Sequence, residues 1–399
     1  MVAGFGALAL LAGNVSPLKA DIEIEKSPNI RRTYTFPYAG TVHPPESSGD
    51  YFKGGTDIDF QGNIIYAMQQ GENGGVHVIK RTRTKRGHIK LAFIPCPGEQ
   101  NDVAVVKPGL IAIGYHSSTC APSTGAPGGG VRLINVSDPK RPKFLGAVND
   151  LPGGTHTLTK YPGKPIIYAS PGGLANGDAI EQILDVSDPK NPKKVAEFTP
   201  NPTGCHDLAF FFKDDQKLAF CSGGGETQIW DVSDPLAPTT LTHIPHPNMV
   251  FPHSVAITHD GKYAFIGDEN FGAHECEGGP AGAIWIYDIT NILAPVNVGY
   301  YSVPRGQSEA ASSRADWCTA HLFNFIPGTY ILVASWYAAG LNVVDFADPL
   351  NPEELAFYMG TGDRYTNYWS AYWHDGRIYA NDRTRGLDVL RMKPLPTKG

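Results

Sequence analysis

Four histidines stand at one recurring point of this chain: His156 in GTHTL, His206 in GCHDL, His253 in FPHSV and His321 in TAHLF. Each opens a short apolar run that leads into the same strand–turn phrase, so the four share one register in successive repeats. Imidazole is the commonest ligand for zinc, copper and iron, and as a neutral base it needs little desolvation to bind. Four of them converging without thiolates would make a transition-metal centre, with iron or copper favoured as redox metals and zinc admitted. The competing reading is structural: a polar residue here hydrogen-bonds the backbone of the next repeat. A ring needing only polarity would more naturally mix Ser, Thr and Asn. The corresponding points of the other repeats hold Asp57 (GTDID), Asp102 (QNDVA) and Tyr368 (NYWSA). Asp57 and Asp102 are the candidate general bases, or else ties between repeats. Tyr368 is a candidate wall or hydrogen-bond donor of a substrate pocket. Asp207, next to His206, could orient an imidazole, although strand alternation points it elsewhere. No HExxH, paired CxxC, GxSxG elbow or Walker A loop occurs.

The elements that must position these residues are strands. One phrase recurs as VRLINVSDPKRPKFLGAV from Val131, QILDVSDPKNPKKVAEF from Gln182 and QIWDVSDPLAPTTLTHI from Gln228, with weaker copies from Trp285 and Leu341. A β-branched and aromatic run ends at Asp or Asn, whose side chain caps a turn that two prolines shape before a second strand follows. Asp185, Asp231, Asp288 and Asp345 therefore read as turn residues. A second strand pair, as in HSVAITHDGKYAFIG from His253, precedes each copy. Four strands in roughly 45–57 residues is the size of a propeller blade. Divergent units at both ends bring the count to seven, and RRTYTFPYAG near the N-terminus is expected to supply the outer strand missing from the last blade. The expectation is all-β: one seven-bladed β-propeller of four-stranded blades over residues 21–399.

The SDPxxP phrase with its preceding apolar strand resembles the LVIVD-repeat family of propellers over nearly all of the mature chain, which implies the fold and says little about activity. The strand–turn phrase is similar, more weakly, to the selenium-binding and methanethiol oxidase propellers, whose relatives look like copper-dependent oxidases. Carotenoid-cleaving oxygenases offer an analogy of architecture alone, a seven-bladed ring with four axial histidines on ferrous iron; none of their motifs is present.

Blade topology puts the start of the first strand and the loop between second and third strands on one face. The two longest such loops start at His116 and Glu269, so both overhang the histidines, and His116 and His274 inside them are candidates for the outer site. All six cysteines fall on this face, and the pairing that needs least travel is Cys96–Cys120, Cys205–Cys221 and Cys276–Cys318. Trp317, Trp336, Tyr337, Trp369 and Tyr372 could line an apolar pocket or pack between blades. The formal charge of −6 argues against nucleic acid or an anionic membrane surface as partner. Residues 1–20 fit the apolar core of a signal peptide with Ala20 before the cleavage point, no later segment reaches transmembrane length, and disulfides suit an oxidising compartment. The chain thus reads as secreted or periplasmic. The leading expectation is a metal-dependent oxidoreductase on a small molecule, with a non-catalytic propeller binding a protein or glycan, and a zinc-type hydrolase or lyase, as alternatives.

Overall fold

A computed structural model describes residues 23–41, 52–82, 87–116, 120, 129–172, 180–200, 204–245, 247–269, 280, 282–304, 318–361 and 365–394. Its strands form seven antiparallel sheets, five of them made of four consecutive strands paired in sequence order. The first strands of the sheets, Gly55–Gln61, Asp102–Lys107, Thr157–Lys160, Asp207–Lys213, Pro252–Ile257, Phe323–Phe325 and Tyr368–His374, each contact the first strands of both neighbours, closing a ring around a central channel. This is the expected seven-bladed propeller.

Blade seven has three strands of its own and takes its outer strand from Ile30–Pro37, which pairs antiparallel with Gly386–Met392. That closure is the one the N-terminal RRTYTFP segment predicts. Unforeseen is a short strand, Glu23–Lys26, that adds to the outer edge of blade six along Glu353–Thr361. It makes blade six five-stranded and covers a row of backbone donors and acceptors that would otherwise face solvent.

The recurring aspartates do what the phrase demands. Oδ1 of Asp185, Asp231, Asp288 and Asp345 accepts from the backbone N–H two residues on, each at 2.8 Å, and Asn135 does the same at 2.9 Å. Between blades the cores are apolar. The cluster between blades five and six, for example, packs Phe265, Ile286, Phe325, Leu332 and Phe346. Near the channel, small hydroxyls tie blade to blade: Thr56 Oγ1 donates to Asn101 O at 2.8 Å, Thr159 Oγ1 to Leu208 O at 3.0 Å and Ser370 Oγ to Thr56 O at 2.7 Å. Thr157 Oγ1 bonds His206 O, and Ser254 Oγ bonds His321 O. Inter-blade tying thus falls mainly to Ser and Thr beside the histidines, which leaves most of the imidazole nitrogens for the channel. No helix is long and apolar enough to cross a membrane among the described residues.

Candidate metal centre

The four histidines meet. Their rings follow one another around the mouth, with centroids 4.1 Å apart for His156 and His206, 4.0 Å for His206 and His253, and 4.2 Å for His253 and His321. Imidazoles sharing one ion, with nitrogens about 2.1 Å from it, hold their ring centroids roughly 4.5–5.3 Å apart, so an ion here would require these rings to spread slightly. Their positions are set by the sheet. The N–H of His156 bonds Ser170 O at 2.8 Å, that of His206 bonds Ser222 O at 2.7 Å, and that of His321 bonds Ser335 O at 3.1 Å. Each Cα is thereby pinned at the end of a hairpin while the side chain turns to the axis. All four are buried, and burial, with repulsion from neighbouring imidazolium charge, holds each well below the usual histidine range. They are neutral bases at neutral pH.

Hydrogen bonds decide which nitrogen carries the proton. His321 Nδ1 lies 2.5 Å from Trp369 O, a carbonyl that only accepts, so Nδ1 is the donor. His253 Nδ1 lies 3.0 Å from Ser254 Oγ, whose own proton is given to His321 O, so here too Nδ1–H donates. His156 Nδ1 pairs with His116 Nε2 at 2.9 Å. In His253 and His321, Nε2 is therefore a bare lone pair, and both are buried without a hydrogen-bond partner, as is Nδ1 of His206.

What these lone pairs face is a carboxylate absent from the sequence-level candidates. Glu269, the first residue after the strand Tyr263–Asp268, places Oε2 3.4 Å from His253 Nε2 and Oε1 3.6 Å from His321 Nε2. Glu269 Oε1 also accepts from the Tyr337 hydroxyl. Burial pushes the Glu269 carboxyl up to about 8. One proton on Glu269 can serve one of the two lone pairs, never both. One ligand atom each of His206, His253 and Glu269 lie within 4.8 Å of one another, close to the roughly 4 Å that separates opposite ligands of one ion, whereas His156 and His321 stand beside this group and not within it. His116 stands in blade two where Glu269 stands in blade five, first after the second strand Leu110–Tyr115. The shared offset is the signal that could have found Glu269.

Of the other sequence candidates, Asp57, Asp102 and Asp207 line the same cavity as the histidines, a space of about 210 Å³. None of the three hydrogen-bonds an imidazole among the described residues. Asp102 Oδ2 accepts from Leu158 N of blade three at 2.7 Å, and Asp57 Oδ1 accepts from Tyr372 OH at 2.7 Å. Asp207 Oδ1 accepts from Leu208 N at 2.8 Å, and burial raises its carboxyl to about 7. Tyr368 is not at the mouth. It is fully buried, its hydroxyl donating to Asp388 Oδ2 at 2.7 Å within blade seven. A bulge between Tyr368 and Ser370 shifts the register, and Trp369 takes the ring position, 4.5 Å from His321. Tyr337 stands 4.5 Å from the same imidazole and 6.2 Å from Trp369, and Phe251 stands 5.2 Å from His206. Of the aromatic candidates, Trp336 packs into the apolar core between blades five and six.

The disulfides Cys96–Cys120 and Cys205–Cys221 are formed as expected, the second fixing the residue before His206. Cys318 is disulfide-bonded as well. Cys276, His274 and Trp317 lie outside the described residues, as do residues 1–20. A scan against protein-family models finds no match to the chain, and a search of curated proteins finds no relative.

Proposed function

We propose that this mouth holds one transition-metal ion on His156, His206, His253 and His321 together with Glu269, and that the protein is a metal-dependent oxidoreductase acting on a small molecule. The observation that carries the reading is the proton shortage at Glu269. Two imidazole lone pairs of fixed tautomer point at one buried carboxyl; a single proton there can answer one of them, whereas a cation among the three would answer both. Two or more histidines with one carboxylate are a donor set suited to iron, and also met with zinc. Iron or copper bound there would supply one-electron chemistry. The chain's own groups hold and orient: Ser254 and the Trp369 carbonyl take the Nδ1 protons of His253 and His321, so that Nε2 faces inward. Tyr337 fixes Glu269 by its hydroxyl, and Trp369 and Phe251 exclude water from one side. A cavity of about 210 Å³ suits a small substrate and leaves no room for a polymer.

The SDPxxP phrase supports placing the chain among the LVIVD-repeat propellers, and the disulfides support export to an oxidising compartment, secreted or periplasmic. Metal analysis of protein purified without a histidine tag, beside a His206→Ala, His253→Ala double variant, tests the centre. One ion per chain in the first and none in the second is the expected result. No metal in either would retire the reading in favour of a non-catalytic binding propeller.

A further inference from the structure

On the face opposite the histidines, one turn position carries two chemistries. Strands run alternately from face to face, so the turn between the third and fourth strands of a blade lies opposite the mouth. In blades two to six the residue two places after the Asp or Asn of that turn is Lys140, Lys190, Leu236, Leu293 and Leu350. All five share one backbone geometry. Each N–H donates to Oδ1 of its turn's acid or amide, Asp138, Asp188, Asp234, Asn291 or Asp348, at 3.0–3.2 Å. Equivalent turns of a closed ring lie at one height along its axis, so the five side chains leave the protein in one layer.

The turn does not ask for leucine, because lysine makes the same backbone bond in blades two and three. Nor does the core claim it: Leu236, Leu293 and Leu350 are 44, 64 and 62% exposed. One exposed leucine is ordinary, but the same position in three successive blades makes an apolar sector. The two lysine blades make a basic one. From Asp138 to Lys143 and from Asp188 to Lys194, six Lys or Arg stand against two Asp. Arg141 pairs with Asp138, and Lys194 with Glu197. Lys140, Lys143, Lys190 and Lys193 are exposed and have no ion pair among the described residues. The formal charge of −6 averages over the whole surface and hides this sector. Glu353 and the turn aspartates keep blades four to six from being basic, so the two sectors lie side by side.

We propose that this face docks on an anionic lipid bilayer, the leucines of blades four to six entering the interface while the lysines of blades two and three meet the headgroups. A bilayer accepts separate apolar tips one at a time, whereas a protein partner needs a continuous apolar patch. A soluble polyanion would use the lysines and leave the leucines without a role. Lysines near a charged bilayer supply attraction, and the leucines supply depth. Docked in this way, the histidine mouth faces away from the lipid and stays open to solutes. The inference does not depend on a bound metal.

Flotation of the full chain with vesicles containing phosphatidylglycerol, beside vesicles of phosphatidylcholine alone, tests it. Wild type is expected to float with the first and stay behind with the second. Equal flotation with both would overturn the proposal. No flotation, with a dimer seen in sedimentation, would assign the leucines to a second copy and overturn it as well. A triple variant, Leu236→Ser, Leu293→Ser and Leu350→Ser, is expected to bind the anionic vesicles at least about tenfold more weakly. A quadruple variant, Lys140→Glu, Lys143→Glu, Lys190→Glu and Lys193→Glu, is expected to lose at least about tenfold too. Unchanged binding in the leucine variant would mean that any polyanion suffices, and unchanged binding in the lysine variant would remove the headgroups; either result sinks the bilayer. All seven side chains are at the surface, so both variants should melt as wild type does. If one does not, Leu293→Ser alone is read in its place, with a loss of about threefold expected and no loss contradicting the docking. Every variant keeps the same N-terminus, so differences among them report the turns. Metal content should be unchanged throughout, which keeps a failure here separate from a failure of the metal centre.

Discussion

The aspartates of the outer turns and those of the channel show one residue type under opposite demands. Asp188, Asp231, Asp288 and Asp348 lie at or near the surface, accept hydrogen bonds from their own turns, and are held below the usual carboxylate range by those bonds. Asp57, Asp102 and Asp207, on the innermost strands, are pushed above it by burial. The first set recurs because every blade needs the same turn. The second set does not recur in every blade: in blades three and five the residue after the histidine is Thr157 or Ser254, whose hydroxyl bonds the histidine carbonyl of the next blade. A repeat protein thus separates fold from chemistry by radius, with the outer turns copied and the inner rim individual. Propeller stability is spread over seven similar blades, while the costs of burying ionisable groups are concentrated at one mouth.

Breaking the histidine rim should cost metal and sparing it should not. The largest effect is expected for His253→Ala, which removes a buried nitrogen aimed at Glu269. Metal affinity measured by competition with a chelator should fall by more than about 100-fold, beyond the 10–100-fold typical of supporting residues. Ser254→Ala leaves the imidazole in place but frees its Nδ1 proton, and the same assay should register a loss of about 10–100-fold. If the alanine variant of Ser254 bound as tightly as wild type, the tautomer argument would fail while the four-histidine geometry stood.

Buried carboxyls away from the imidazoles sharpen the contrast through pH. Glu181 in blade three is fully buried, accepts from Ser170 Oγ at 3.0 Å, and burial raises it to about 8 from an ordinary value of 4.5. Between those values the unfolded chain releases this proton and the folded chain keeps it, so the contribution is present below about pH 4.5 and is lost as pH rises toward 8. Glu181→Gln should therefore gain stability relative to wild type on going from pH 5 to pH 8, by at most about 1.4 kcal/mol per pH unit, in denaturant titrations. A gap that does not change with pH would mean the carboxyl ionises freely in the fold. The smallest effect belongs to the outer set. Asp231→Ala, losing the bond from Ser233 N, should cost about 0.5–1.5 kcal/mol and leave metal content unchanged.

How much was legible in the sequence follows the same division. The turn phrase is local, since Asp, Pro and Pro act within a few residues of each other, so the blades, their number and the closing strand Ile30–Pro37 could be read directly. The histidine ring was legible because register within a repeat converts to position on the axis. Three things were not. Glu269 follows the second strand of one blade, and no repeat of it marks the spot, apart from His116 in blade two. Tyr368 was displaced by a single bulge, which exchanged its place with Trp369, since a one-residue slip turns a side chain to the other face. The edge strand Glu23–Lys26 pairs with a partner more than three hundred residues away, and nothing local specifies that.

The central claim is that neutral imidazoles of fixed tautomer and one carboxylate surround a single ion. Anomalous diffraction at the metal absorption edge, from crystals of the metal-loaded protein, tests it most directly. One peak about 2.0–2.3 Å from Nε2 of His253 and Nε2 of His321, with His156, His206 and Glu269 in contact, is the predicted result. A map without a peak between the imidazoles, or with the ion held by surface residues alone, would contradict it.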